Sequence, residues 1–483
     1  MIFGKKDTSN DNSQSSQSDD ESIAYIKSAF ESNVSLFKLL STIRTRRVGM
    51  GYQIESGQEE SFDWSSNKPN TQREGPLNYV SEETPYSLSE AEEALLVWAA
   101  TGVNGMVLGD LPVEGGLSRL LSFKGRTSPS SSNDGSVEIF IVNDNGVSLY
   151  RPTVDKPTFQ EISNEDDYAK ILNWYRNDTI KIMDHRPDVS WPANPEGTKT
   201  VNAMGPAQYN LNRPGTTWFL PVGDVGVEWF NQLLTSYEFS GFYLMDPDTN
   251  EPAGCQEWIR PGFLEVGFPI PAFDELALML HAGQVGAIVQ NIRLASEAMG
   301  LGAWMTGSYA DDLVLGAYPE IAKGLGFSFL SREGTLNPAT TTTCQGLDGI
   351  KDAVMVPSKK FPKAEDAVRY VANLPTTQAA VYSAGKDGND FGSIPYQQDV
   401  MESILETPRT YVSDWVLEAA VKTVEYIVNK YGCAPAFINP VRAKISVQVH
   451  HVDVGFYEKY NIQNNGLPYG ITETIQNHFD AWH

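Results

Sequence analysis

The segment at residues 273–300 constrains the fold most, because a long, mostly apolar helical pattern runs through it and then stops in glycine. Its centre carries small residues such as Ala282 and Gly283, which allow another helix or a ligand to approach the backbone closely. One glycine is enough to end a helix. Here the pattern ends in Gly-Leu-Gly at 300–302 and continues into a turn at 304–307. The sequence therefore predicts a core helix followed by a turn whose shape is determined by a neighbouring group, either another element of the chain or a ligand.

Composition narrows the class of protein. With 483 residues, we expect two or three folded units, and 41% hydrophobic residues suit a substantial core. The net charge of −25 argues against nucleic acid as a partner, because phosphate binding needs a basic face. The three cysteines are widely separated and have no zinc-binding spacing. No secretory leader or unbroken membrane-spanning run is visible, so we expect a cytoplasmic protein with no membrane partner.

The chain divides into three predicted parts. Residues 1–22 are polar and nearly free of large apolar side chains, which predicts a disordered tail. Residues 23–335 are expected to form the main domain, with an insertion around 112–270. Residues 336–483 are expected to form an additional C-terminal α/β unit. No repeat of fixed period is visible.

Several local patterns predict individual elements. Ser89 and Glu92 have the spacing of a capping box, which predicts a helix that starts there and stops at Gly102. A turn at 143–146 between two apolar runs predicts a β-hairpin. Farther on, the patterns predict an amphipathic helix that ends at Gly432, a strand in KISVQVHHV and a closing helix in TETIQNHFDAW.

Three separate segments carry residues suited to a nucleotide with a flat ring. A glycine-bounded turn exposes backbone groups that can read the polar edge of such a ring. The early arginines Arg46 and Arg47 can hold a phosphate through forked, charge-assisted hydrogen bonds. The segment AATGVNG offers Thr101 and Asn104, two short polar groups suited to ring or ribityl contacts.

These segments resemble the motifs of the FMN-dependent nitroreductases. The family's arginine-rich motif is similar to the stretch from Arg46 to Tyr52, and its second motif is loosely similar to the stretch from Ala99 to Asn104. Its third motif, an amide-bearing helix that ends in a glycine-rich turn, looks like the stretch from Gln290 to Gly307. The third match is fairly specific, and the other two are weaker.

The resemblance implies an α+β fold, a nitroreductase-like three-layer α/β/α sandwich that works as a homodimer. It implies that Arg46 and Arg47 approach the FMN phosphate and that Thr101 and Asn104 contact the flavin. It also implies that the isoalloxazine lies beside a rim formed by Met305, Thr306, Gly307 and Ser308. The expected activity passes hydride from NAD(P)H through FMN to a nitroaromatic, quinone or enone. The flavin supplies the chemistry, so no catalytic side chain is predicted.

Two departures from the family pattern keep alternatives open. Val48 stands where the family has a phosphate-binding serine, and Met50 stands where it has a second basic residue near the ring. Loss of that cation should weaken stabilisation of an anionic reduced flavin. The alternatives are an azoline-oxidase-like flavin enzyme acting on a peptide or heterocycle, and a flavin-binding protein that has lost turnover.

The pair His450-His451 with Asp453 raises the separate question of a metal. Two histidines and a carboxylate are a common ligand set. Adjacent residues on a strand, however, point to opposite faces of the sheet. We therefore expect hydrogen-bonded structural roles for these residues and no metal site.

Overall fold

The computed structural model describes most of the chain, and the account below concerns those residues alone. They are residues 18–32, 34–52, 79–106, 124–130, 135–152, 160–187, 189, 212–320, 322–331, 342–374, 397, 399 and 412–482. Most of the predicted N-terminal tail lies outside this set. Its last residues belong to the described set: Ser18 caps the first helix, which begins at Asp19, three residues before the predicted end of the tail.

The described residues include eleven α-helices. In chain order they are α1 (Asp19–Phe30), α2 (Leu36–Thr42), α3 (Glu90–Thr101), α4 (Tyr168–Asp178), α5 (Val225–Thr235), α6 (Ile270–Ala298), α7 (Asp311–Leu315), α8 (Ala364–Ala372), α9 (Asp414–Tyr431), α10 (Val454–Tyr460) and α11 (Glu473–Trp482). The predicted capping box of α3 is present, since the Ser89 and Glu92 side chains each accept a backbone N–H from the other residue. Gly432 ends α9 in a left-handed conformation, as predicted.

The described strands number sixteen. They are β1 (Val103–Met106), β2 (Lys124–Arg126), β3 (Val137–Asn143), β4 (Gly146–Tyr150), β5 (Thr179–Met183), β6 (Thr216–Asp224), β7 (Phe242–Met245), β8 (Val266–Pro269), β9 (Gly302–Thr306), β10 (Ser328–Ser331), β11 (Thr342–Leu347), β12 (Lys351–Asp352), β13 (Val441–Arg442), β14 (Ser446–His450), β15 (Gln463–Asn464) and β16 (Leu467–Pro468). The predicted hairpin is confirmed as β3 and β4, with Asn143 opposite Gly146.

A seven-stranded antiparallel sheet organises the molecule. Its strand order is β5-β4-β3-β6-β14-β9, and β13 also pairs with β6. Side chains alternate between its two faces, as the pleat requires. Ile139, Ile141 and Val447 face a cluster formed with α1, α3, α4 and the C-terminal half of α6, whereas Phe140 and Trp218 face the opposite side.

The two faces of this sheet have different covers. Helices cover one face, but the other packs against the segment around α7 and the three-stranded sheet β10-β11-β12, through residues such as Val314, Phe327 and Cys344. The fold is mixed helix and sheet, as predicted, but the described residues do not form a second complete helical layer, so the predicted three-layer sandwich is not confirmed. Apolar strands and turns on that side bury the surface that helices would have covered.

The central sheet crosses the predicted boundary at residue 335, because the C-terminal part contributes β13 and β14 to it. β14 lies inside the central sheet, paired with β6 on one side and β9 on the other. The segment predicted as an insertion likewise supplies β3, β4, β5 and β6 to the same sheet. The alternation of apolar and polar residues along each strand can be recognised in the sequence. Which distant strands pair depends on contacts between the faces of the sheet, and a local pattern does not reveal those contacts.

The long helix α6 crosses the structure from one core to another. Its first turns pack among α5, α8 and α9, and its last turns pack on α3. By length and composition alone α6 could span a membrane. Here the side chains of both halves belong to the cores of the folded unit, which is the ordinary reason for such a composition.

Candidate functional site

The early arginine segment lies directly against β9. The backbone N–H of Arg46 donates to the carbonyl of Ala303 at 3.3 Å, and the Arg47 guanidinium carbon lies 4.5 Å from the centre of the Trp304 ring. Two of the three segments that suggested a nucleotide site are therefore neighbours in space. They adjoin at the open edge of the sheet, because β9 is its last strand.

The two arginines differ sharply in their surroundings. Arg46 is buried, and its guanidinium donates to both carboxylate oxygens of Glu297, at 2.5 and 3.3 Å. Its remaining donors reach the carbonyls of Gly470 at 2.6 Å and Thr42 at 3.4 Å. This guanidinium is fully engaged inside the protein. Arg47 is exposed, so its charge faces solvent above the Trp304 ring.

The rim predicted to lie beside the flavin is mostly accessible. Met305 is 43% exposed, and Gly307 and Ser308 are exposed as well. Thr306 is buried, and its hydroxyl oxygen accepts the backbone N–H of Ser308 at 3.2 Å. This short hydrogen-bonded turn presents a side-chain-poor edge next to Arg47.

Thr101 and Asn104 form a separate group. The Thr101 hydroxyl donates to the carbonyl of Val97 at 3.2 Å within α3, and Asn104 is exposed on β1. An α-helix rises about 1.5 Å per residue, so Thr101 lies about 13 Å along α3 from Glu92. Asn291, in the amide-bearing part of α6, is structural: its amide donates to the carbonyls of Ala99 and Thr127 at 3.0 and 2.8 Å.

The two positions that depart from the family pattern are interior. Val48 packs in a small core with Tyr79, Val452 and Tyr457, and Met50 is also buried. Neither offers a cation or a hydroxyl to a ligand. The exposed cations nearest to this segment in sequence are Arg44, which stacks over the Tyr469 ring at 4.6 Å, and Arg47.

The glycines after α6 have a local cause. Gly300 has a φ of +79°, and a Cβ atom there would lie 2.4 Å from the carbonyl oxygen of Thr474 and 2.6 Å from the Cβ of His478. A Cβ at Gly302 would lie 2.7 Å from His450 Nε2. Glycine at these positions lets α11 and the end of β14 approach the turn closely.

That approach brings together a buried cluster of Glu92, His451 and His478. His478 Nε2 lies 3.0 Å from His451 Nδ1 and 3.4 Å from a Glu92 carboxylate oxygen, and His451 Nε2 lies 3.7 Å from the other. The three residues come from α3, the end of β14 and α11. Of these three residues, only His451 was considered as a metal ligand from the sequence.

The other members of the sequence motif point elsewhere. His450 faces Gly49 and Gly302, and burial lowers its pKa to about 3. Asp453 caps α10 through the N–H of Phe456 and accepts the hydroxyl of Tyr79 at 2.9 Å. The expected opposite orientation of adjacent histidines is therefore observed. The actual partners of His451 were missed, because Glu92 was explained as a cap and His478 has no neighbouring ligand in sequence.

Burial governs ionisation in the cluster. It raises the pKa of Glu92, and it lowers the pKa of His478 to about 4. Glu92 also accepts the Ser89 backbone N–H at 2.7 Å and the Tyr25 hydroxyl at 3.3 Å. Neutral imidazole, whose ring nitrogen offers a lone pair, is the form of histidine that binds metals.

A cavity of about 510 Å³ opens beside the first turn of α3. Glu93 lies in its wall, where burial raises its pKa and where it accepts the Tyr175 hydroxyl at 2.7 Å and the Asn143 amide at 2.9 Å. Arg176 and Lys181 also line it. The hydrogen bonds of Glu93 join α3, α4 and β3, so this residue is explained by the fold.

Comparisons with known proteins give little support to an assignment. No protein-family model matches the chain, and no curated protein matches it. One similar solved structure is a candidate nitroreductase from Ralstonia eutropha. It is 15% identical, the match covers 56% of this chain and 83% of that chain, and the TM-score is 0.22. A likeness this slight carries no argument about the fold or activity of this chain.

Proposed function

We propose that this chain is an FMN-dependent oxidoreductase that passes hydride from NAD(P)H to an electron-poor acceptor such as a nitroaromatic, quinone or enone. The proposal rests on the resemblance of three sequence segments to nitroreductase motifs. The structural observation that supports it is the contact between two of them, where Arg47 lies over Trp304 beside the exposed rim at 305–308. Segments distant in sequence need not have adjoined.

The residues present fit FMN with one change of role. Arg46 is engaged by Glu297, so we assign the phosphate contact to exposed Arg47 rather than to both arginines. Arg47 can present a planar pair of donors to a phosphate. The edge of the ring would be read by backbone groups near Gly307, where no side chain obstructs approach.

Bound FMN supplies the hydride chemistry, and the protein's part is to bind and orient it. The Arg47 guanidinium carbon lies 4.5 Å from the centre of the Trp304 ring, and this contact limits the positions that the charge can take. Ser308 and the backbone of Gly307 remain open to solvent at the same edge. Met50 adds no cation, so this protein should stabilise a negatively charged reduced ring less than a relative with a basic residue there.

We further propose a homodimer whose contact includes the centre of α6. Met279 is 65% exposed there, and Ala282 and Gly283 are exposed beside it, although the opposite side of the helix is buried in the core. A second copy of α6 is the proposed occupant, because small residues allow two helices to pack closely. Thr101 and Asn104, which stand apart from Arg47 in one chain, would then contact FMN from the partner copy.

The first experiment is flavin content. Purified untagged protein should be yellow or should take up FMN on reconstitution, and anaerobic NADH or NADPH should bleach it. Protein that takes up no FMN contradicts the proposal outright. Protein that holds FMN but resists bleaching favours the azoline-oxidase-like reading or flavin binding without turnover.

Arg47→Ala tests the assigned phosphate contact. Loss of a charged hydrogen bond is expected to weaken FMN binding by about 1.5–3 kcal/mol, or at least about tenfold in Kd. Arg260→Ala is the matched control, since Arg260 is also exposed and stacks over a ring, that of Phe263 at 4.0 Å, on another part of the surface. Equal FMN affinity in the two variants would show that Arg47 does not contact the FMN phosphate.

A further inference from the structure

We propose that Glu92, His451 and His478 bind one divalent transition-metal ion of the zinc class, which fastens α11 to α3 and to the end of β14. One ligand atom from each residue can be chosen so that all lie within 4.8 Å of one another. This proposal is independent of flavin binding.

The spacing of the ligand atoms suits such an ion. Zinc–nitrogen and zinc–oxygen distances of about 2.0–2.1 Å place two ligands of a tetrahedral site about 3.3 Å apart. His478 Nε2 stands 3.0 Å from the nearest His451 nitrogen and 3.4 Å from the Glu92 carboxylate. The proposal requires the three side chains to rotate until one atom of each faces a common centre, from positions within 4.8 Å of one another.

The two imidazoles face each other at hydrogen-bond distance. Either the N–H of one ring or a cation bound by both nitrogens can lie between His478 Nε2 and His451 Nδ1, which are 3.0 Å apart. The rings are nearly parallel, with an interplanar angle of 27° and centres 5.0 Å apart. A shared proton would satisfy His451 and His478, but it would leave the adjacent carboxylate of Glu92 without a positive neighbour.

Some other buried carboxylates of the molecule have a cationic side chain beside them. Glu297 is paired with Arg46, and Glu138 is paired with Lys351 and Arg151. The ion-pair partners of Glu92 are instead histidines, which are charged only when protonated. Glu93 is buried directly beside it. A dication at the cluster would give Glu92 the kind of positive neighbour that Glu297 and Glu138 have.

The surrounding backbone is built for this approach. The left-handed Gly300 leaves room for Thr474 and His478, so α11 sits against the turn that follows α6. The cluster is closed to solvent: Glu92 is 0% exposed, His451 1% and His478 9%. Burial of all three ligands favours a site that holds elements together over one that is open to substrate. Three protein ligands leave the fourth position of a tetrahedral ion for a water molecule.

The test uses the untagged full chain. After removal of metals with a chelator, the protein is given zinc, passed through gel filtration and analysed for metal; one equivalent per chain is expected. Cobalt is then titrated into the metal-free protein, where visible ligand-field bands should appear and saturate at one equivalent. Absence of stoichiometric uptake, or of these bands, would overturn the proposal in favour of a proton-sharing network.

Variants locate the ion. His478→Gln and Glu92→Gln should each weaken zinc binding by more than about 100-fold, since loss of an outer-shell group alone costs about 10–100-fold. His450→Gln removes a buried histidine on the opposite face, and His185→Gln removes an exposed one; both should keep full binding. Circular dichroism checks that each variant is folded. Zinc binding by folded His478→Gln at native strength would refute the site.

Discussion

The two ends of α6 carry buried acids that are held in opposite ways. Near its start, Asp274 accepts the indole N–H of Trp229 and the backbone N–H of Phe437, each at 2.6 Å, within an otherwise apolar core. Near its end, Glu297 forms an ion pair with Arg46. One carboxylate is satisfied by neutral donors and the other by a full charge. The helix α6 therefore joins one core, where its acidic residue is held by hydrogen bonds, to a second core, where its acidic residue is held by an ion pair.

This difference indicates which contacts are most sensitive to substitution. An apolar core tolerates substitutions that keep volume, because each contact is small and non-directional. A buried ion pair does not tolerate loss of one partner, because an uncompensated charge remains. The C-terminal end of α6 carries Glu297, and the turn after it lies against His478 of the Glu92 cluster, so this end should be the more easily broken of the two regions. The following substitutions test that order.

The largest effect is expected for Arg46→Met. It leaves Glu297 buried without its cation and should lower the free energy of unfolding by about 3–5 kcal/mol, measured by urea denaturation. The double variant Arg46→Met/Glu297→Met removes both charges and should recover part of that loss. A double variant that is less stable than the single one would show that the charges are not the cause.

Gly300→Ala should come next. The left-handed backbone costs a non-glycine residue about 1–2 kcal/mol, and the collision with Thr474 and His478 adds to it, so we expect a loss of about 2–3 kcal/mol. Gly262→Ala is the control, since its φ is +82° but its Cβ would meet nothing within 4 Å. Thermal unfolding of both separates backbone strain from crowding of α11. Equal losses of stability in the two variants would mean that α11 moves aside at little cost in free energy.

At the apolar end, Asp274→Asn should have a smaller effect. The new amide keeps one acceptor but sets an N–H against a donor, Trp229 or Phe437, and we expect a loss of about 1–2 kcal/mol in urea denaturation. The exposed Asp184→Asn should stay within about 0.5 kcal/mol of the native protein. A loss equal to that of Arg46→Met would erase the distinction between the two ends.

The smallest change is expected for Gly286→Ala, in the middle of α6. A Cβ there meets nothing within 4 Å, and alanine favours the helix, so the protein should gain about 0.5–1 kcal/mol of stability. Sedimentation should be measured alongside unfolding. If the proposed homodimer packs on this helix, the added methyl groups should weaken self-association while the chain itself becomes more stable.

The sequence predicted elements whose signals are local. The cap at Ser89, the hairpin turn at 143–146 and the stop at Gly432 all depend on residues a few positions apart. It could not predict that β14 lies inside the sheet, because the alternating pattern of a strand does not identify the strands that pair with it. The same limit applies to the site. Glu92 and His478 belong to ordinary helices, and only the fold brings them to His451.

The place of β14 has a consequence for how the protein is made. Both of its neighbours, β6 and β9, leave the ribosome long before it does. Until β14 arrives, the nascent chain carries two unpaired strand edges that face each other across a gap one strand wide. Such edges can recruit other chains. Synthesis of this protein should therefore depend on chaperones that shield open edges until the missing strand closes the gap.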